Sequence, residues 1–142
     1  MIIDINELTH RIIGCAMKVH GTLGGGFQER IYQRALALEL GQAGLSFAQE
    51  KNMDIVYLGI AIGRRRVDFF VENRVMVEIK AADDLLAKHK LQSINYLEIC
   101  GIADGLLINF GAPSLQFKRV YNKNKVYTRG GTGWPDLEEG EG

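Results

Sequence analysis

Arg66-Val67-Asp68-Phe69-Phe70-Val71-Glu72-Asn73-Arg74-Val75-Met76-Val77-Glu78-Ile79-Lys80 is the stretch from which the fold can be read. β-Branched and aromatic residues alternate with polar ones on both sides of Glu72-Asn73-Arg74, which predicts two antiparallel strands joined by a turn. Val67, Phe69 and Val71 are expected to share one face of the first strand, and Val75, Val77 and Ile79 one face of the second. Both sets reach the same buried layer if Val71 pairs with Val75. That register sets Asp68 opposite Glu78 and Arg66 opposite Lys80. A slip of one residue would turn one apolar set to the wrong face.

Side chains directly opposed in an antiparallel pair lie roughly 4.5–5.5 Å apart at Cβ. Two carboxylates that close repel unless a cation sits between them, and a hard divalent cation such as magnesium takes carboxylate oxygens. Lys80 points to the same side as Glu78 and is suited to hold a water or a phosphate. A solvated polar face, with Lys80 bridging the two acids, explains the same three residues. Taken alone, the spacing favours that plainer reading.

The 142-residue chain is long enough to bury a proper core and is expected to form one domain over residues 1–121. Its 46% hydrophobic and 24% charged content is that of an ordinary soluble protein. A formal net charge of zero argues against coating nucleic acid by bulk electrostatics, while leaving room for a local basic strip. Cys15 and Cys100 make neither a disulfide framework nor a metal-ligand spacing; both are expected to be buried thiols, which fits a reducing, cytoplasmic setting. Asp4, Asn6 and Glu7 interrupt the apolar start, so no signal peptide is expected, and no stretch is long enough to cross a membrane.

Taken in order, Asp4 to about His20 reads as a helix, with Asp4 and Glu7 at capping-box spacing and a stripe of Leu8, Ile12, Cys15 or Ala16, and Val19. Gly21 to Gly26 breaks it. These glycines lack a preceding strand and a Gly-Lys-Ser/Thr ending, so a tight turn between helices is expected rather than a phosphate cradle. A second helix is expected from Phe27 to Leu40, with Phe27, Ile31, Ala35 and Leu38 inward. Glu29 and Tyr32 share a face of its first turns, where Glu29 by itself complements the helix dipole.

Lys51 to Leu58 is read as a strand and Gly59 to Gly63 as a turn into the central hairpin. Asp83-Asp84 is expected to start a helix that reaches Cys100 and ends at Gly101. Leu91, Ile94 and Leu97 would face the core, while Lys88, Gln92, Asn95 and Tyr96 form a polar face. Asp104 to Phe110 is a strand apolar enough to be covered on both sides and, after a helix, free to run parallel to the third strand. Leu115 to Tyr121 is a short edge strand, and residues 122–142 read as a flexible tail. The fold class is α/β (α+β): a mixed central β-sheet flanked by helices, with an extra N-terminal helix at residues 4–20 and the core at 27–121.

Gly26-Phe-Gln-Glu29-Arg-Ile-Tyr32 resembles the signature of the GxxExxY protein family. Val19-His20-Gly-Thr-Leu-Gly24, Val67-Asp68, Val77-Glu78-Ile-Lys80-Ala81, Gln92-Ser-Ile-Asn-Tyr96-Leu97 and Leu106-Leu-Ile-Asn109-Phe110-Gly111 resemble further blocks of that family in the right order, from about His10 to Val120. The family is grouped with the PD-(D/E)XK nuclease-like superfamily, whose restriction-endonuclease-like core runs helix, three strands, helix, strand.

The resemblance implies that Asp68 and Glu78 bind metal, with the backbone carbonyl of Ile79, and that Lys80 is the lysine of the E-x-K element. Glu29 resembles the extra acid of exonuclease-type members, and Gln92 and Tyr96 their Q-x-x-x-Y motif. Val67 stands where the superfamily's name-giving proline would be. The implied activity is Mg2+- or Mn2+-dependent hydrolysis of DNA or RNA. Arg66 and Lys88, with Arg64, Arg65 and Lys90, would supply a basic rim for the substrate, and His20 a structural brace. A homodimer or a protein partner is a further expectation. The alternative from another class is a nuclease-fold module that binds nucleic acid or protein without cutting.

Overall fold

A computed structural model describes residues 2–122. Of the tail expected over residues 122–142, Asn122 is instead buried and donates its side-chain amide to Leu97 O at 3.0 Å, and residues 123–142 lie outside the described residues. Two helices, α1 (Ile5–Leu23) and α2 (Glu29–Gln42), precede a meander of β1 (Phe47–Tyr57), β2 (Ile60–Val71) and β3 (Val75–Lys80). Helix α3 (Ala87–Cys100) crosses over to β4 (Asp104–Asn109), and β5 (Gln116–Tyr121) closes the sheet. The sheet order is β1-β2-β3-β4-β5, with β3 and β4 parallel and the other pairs antiparallel. The expected mixed sheet, its parallel crossover and its edge strand are all present.

Asp4 caps α1: its Oδ2 accepts from the backbone N–H of Asn6 at 3.0 Å and of Glu7 at 3.4 Å. The stripe Leu8, Ile12, Cys15, Ala16 and Val19 is buried as expected. The helix runs through Gly21 to Leu23 rather than stopping at His20, and Gly24 terminates it. A helical glycine is only mildly unfavourable, and packing of the stripe carries the last turn.

Helix α2 buries Tyr32, Gln33, Leu36 and Leu40, not the expected stripe. Phe27, Ile31 and Leu38 are exposed. The stripe instead has i, i+4, i+8 spacing from Tyr32 through Leu36 to Leu40. Helix α3 starts at Ala87, later than Asp83-Asp84, because Asp84 Oδ1 instead accepts from Leu85 N–H and from Gln116 Nε2, bracing the approach to the helix. Ile94 and Leu97 are buried, whereas Leu91 is exposed. Cys15 is buried, but Cys100 is only half-buried.

The central hairpin keeps the expected register at Phe69↔Val77, Phe70↔Met76 and Val71↔Val75. Glu72 and Asn73 both adopt positive φ, near +53°, to turn it. Strand β2 begins already at Ile60, so the segment 60–63 read as turn is strand, and the reversal sits at Leu58-Gly59, both left-handed. Strand β1 likewise begins earlier, at Phe47.

The expected single face of Val67, Phe69 and Val71 does not hold. Phe69 and Val71 join the layer under α1 and α2, while Val67 joins Met76, Ile94 and Leu97 under α3. The switch falls where the β1–β2 ladder skips Glu50 and Asp68, with Glu50 at φ 54°. Strict alternation assumes an unbroken extended strand; one left-handed residue in the partner breaks it.

Candidate metal centre

Asp68 lies at that break. The β2–β3 ladder ends at Phe69↔Val77, so Asp68 and Glu78 are not a ladder pair as expected. Instead the Asp68 carboxylate takes the place of a backbone partner: Ile79 N–H donates to Asp68 Oδ2 at 2.8 Å. Arg66 is not opposite Lys80; it pairs across the ladder with Asn52 and reaches Glu50 at 3.9 Å.

Glu78 stands on β3, a strand buried along its length, and is 4% exposed. Burial pushes its carboxyl up from 4.5 to about 7, the nearby Asp68 charge adds to the rise, and Arg65 and Lys80 oppose it. Asp68 is also raised, first by burial, against the lowering effects of the Ile79 N–H and Arg65; Glu29 raises it further. These mutual effects show that Asp68, Glu78, Lys80, Glu29 and Arg65 share one neighbourhood.

Arg65 was not singled out among the three consecutive arginines, and it is the one that matters in the structure. Its Nη2 donates to Glu78 Oε1, and its guanidinium carbon lies 4.3 Å over the Tyr96 ring. The fork is half made: Arg65 Nε and Glu78 Oε2 are both buried and have no hydrogen-bond partner. No signal in a run of three arginines could have picked the middle one, because the choice depends on the break at Asp68.

Two further residues position the site. Tyr32 is fully buried, stacks on Phe110 at 4.8 Å, donates its hydroxyl to Gly24 O and accepts from Phe27 N–H at 3.2 Å. Tyr32 thereby fixes the glycine turn and the entry into α2, whose first residue is Glu29. Asn109, fully buried, accepts from Ala82 and Gly111 N–H and donates to Ala82 O and Gln116 Oε1, all at 2.9–3.1 Å. It ties the segment after Lys80 to β4. Gly111 lies so close there that an added Cβ would meet Ala82 O at 2.5 Å. The asparagine and glycine of the Leu106–Gly111 block thus read as backbone braces. His20 acts as one too, its Nε2 2.9 Å from Ala112 O.

Gln92 and Lys88 lie exposed on α3, and nothing among the described residues ties them to the carboxylates. Tyr96 is brought to the site through Arg65. No group of three or more His, Cys, Asp or Glu side chains forms a ready metal cage among the described residues. A divalent cation nonetheless fits the donor set. The half-buried Asp68 raises the buried Glu78 carboxyl further, and Glu78 Oε2 is an enclosed acceptor without a donor.

The model of the PD-(D/E)XK nuclease superfamily matches residues 6–120 of the chain. The crystal structure of SSO0001 is similar at TM-score 0.52 and 19% identity, over 65% of this chain and 48% of that one, so the chain spans about half of that neighbour's length. The crystal structure of an alkaline exonuclease (LHK-Exo) from Laribacter hongkongensis aligns at TM-score 0.43 and 10% identity, over 91% of this chain and 76% of that one. No curated protein matches the sequence.

Proposed function

The chain belongs to the PD-(D/E)XK nuclease superfamily, and from that premise we propose that it is a divalent-metal-dependent nuclease acting on DNA or RNA. The observation that carries this reading is the buried, partnerless Glu78 Oε2 beside Asp68 and Lys80. Asp68, Glu78 and the carbonyl of Ile79 would hold Mg2+ or Mn2+. Such an ion, when bound, lowers the pKa of a water and neutralises charge developing on a phosphodiester.

The chain's own groups do the rest. Lys80 holds the attacking water or a non-bridging phosphate oxygen as charge builds. Glu29, close enough to raise Asp68, would contact the metal through a water or orient Lys80. Arg65 donates to Glu78 and lies over Tyr96, where it would serve as a further cation for the substrate. Tyr96 and Gln92 hold the nucleic-acid backbone, with Lys88 and Arg66 on the rim.

The narrower GxxExxY membership, one domain over residues 1–121, a reducing cytoplasmic setting and a homodimer or protein partner belong to the same proposal. The free thiols at Cys15 and Cys100 support the setting. Among the described residues no helix is long and apolar enough to cross a membrane.

Labelled single- and double-stranded DNA and RNA, incubated with Mg2+ or Mn2+, test the reading beside Glu78→Ala and Lys80→Ala. Cleavage by the native protein that falls at least about 100-fold in both variants is the expected result. The alternative, a nuclease-fold module that binds without cutting, is favoured by one observation: Arg65 already provides Glu78 with a cation. Absence of cleavage together with no rise in Tm on adding metal would establish that alternative.

A further inference from the structure

A second cluster lies beside the carboxylates, where α2 faces β1. Arg30, Gln33 and Arg34 on α2 and Gln49 and Glu50 on β1 line an open cavity of about 350 Å³. Gln33 is 9% exposed, its Nε2 is enclosed, and that amide finds no hydrogen-bond partner. A buried amide left unpaired is unfavourable unless something outside the chain satisfies it. Arg30 and Arg34 are exposed, one turn apart, and engaged in no ion pair among the described residues. The single acid of the cavity, Glu50, is reached by Arg66 at 3.9 Å. The cavity therefore offers two guanidinium groups and one enclosed amide N–H2, against one carboxylate that already has a cation.

Its position links it to the site. Gln33 is one helical turn beyond Glu29, about 6 Å along α2. Glu50 is the left-handed residue at the ladder break that frees Asp68. The kink that exposes the acid of the metal centre thus also shapes this cavity.

We propose that Arg30, Gln33 and Arg34 form a phosphate subsite, which holds a phosphate group of the nucleic-acid strand next to the one at the carboxylates. The arginines present planar donors suited to phosphate oxygens, and Gln33 completes the cradle from below. This rests on the nuclease reading for its substrate, but it concerns binding rather than cutting. The same donors would take a terminal phosphate or an internal phosphodiester.

Fluorescently labelled single- and double-stranded oligonucleotides of DNA and RNA, with and without a terminal phosphate, are titrated with the native protein. The assay contains EDTA and is run at several salt concentrations. Arg30→Gln/Arg34→Gln should weaken binding about tenfold or more at low salt and reduce the slope of log Kd against log salt by about one to two. Gln33→Met should weaken binding severalfold while raising Tm, because an unpaired buried amide is replaced by an apolar side chain of similar shape. Lys18→Gln, on the exposed surface of α1, is the control and should change little.

If only oligonucleotides with a terminal phosphate respond to the arginine variants, the subsite is an end anchor; if both kinds respond, it holds the internal backbone. Native-like Kd and salt slope in the double variant would overturn the subsite. Cleavage retained by the native protein would then leave the nuclease reading standing. A native protein that neither binds nor cuts overturns both. A Gln33→Met protein with lowered Tm and unchanged binding removes Gln33 from the cradle.

Discussion

Against one face of the sheet, α1 and α2 bury a continuous apolar layer that includes Leu8, Ile12, Leu36, Phe69, Val77 and Phe110. Against the other face, α3 covers a smaller group of Val67, Met76, Ile94, Leu97, Ile102 and Val120, and beside it stand Glu78, Arg65 and Tyr96 with two polar atoms unpaired. The first face is a continuous apolar layer, apart from the enclosed Gln33 amide on α2. The second is left incomplete where one helix cannot cover it. A fold of this size can keep an unfavourable group such as Glu78 because the opposite layer supplies the stability. The site and the core are thus different kinds of region on one sheet.

The comparison sharpens if the two faces respond differently to change. The largest effect is expected on the apolar face: Leu36→Ala should lower the free energy of unfolding by about 2–5 kcal/mol in urea denaturation, through lost transfer energy and a cavity. A loss well under 1 kcal/mol would mean the layer is not closely packed.

On the site face the expected signature is a pH dependence. The Glu78 carboxyl is raised from 4.5 to about 7 on folding, so between those values the folded chain holds a proton that the unfolded chain has lost. Stability of the metal-free protein should therefore fall as pH rises from about 4.5 to about 7, by at most about 3 kcal/mol. Asp68, also raised, acts in the same direction. Thermal melts across that range should show the fall, and Glu78→Gln should flatten it. A profile that rises with pH in the native protein and is unchanged in the variant would break the contrast between the faces.

The smallest effect is expected at the seam. Tyr32→Phe keeps the ring stacked on Phe110 but removes the hydroxyl between Gly24 O and Phe27 N–H. It should cost about 1 kcal/mol of stability. Because this hydroxyl sets the entry into α2, the change should lower cleavage more than it lowers Tm. Equal losses in both would make Tyr32 a core residue and nothing more.

Much of this was legible beforehand. Alternation and spacing put Asp68, Glu78 and Lys80 on one polar face, only the family resemblance makes them site residues, and the structure brings them into one neighbourhood with Glu29. Arg65 and the Gln33 cavity were not found. Both depend on the break at Glu50 and Asp68, and Glu50 carries no mark in the sequence: a glutamate with positive φ looks like any other glutamate. The stripe of α2 was misread for a simpler reason, since Tyr32 can be core or site by composition and only packing against Phe110 separates the two.

What the sequence by itself determined is the order of elements, the parallel pairing of β3 with β4 and the three-pair register of the central hairpin. Those follow from periodicity, crossover length and burial of alternate residues, which are local or nearly local properties. Only the tertiary structure decided which arginine meets Glu78, why Asp68 leaves the ladder to bind Ile79 N–H, and where a buried amide is left unpaired. Those outcomes are set by side chains from different elements competing for the same few polar atoms in a space that water has left, and that competition has no period along the chain.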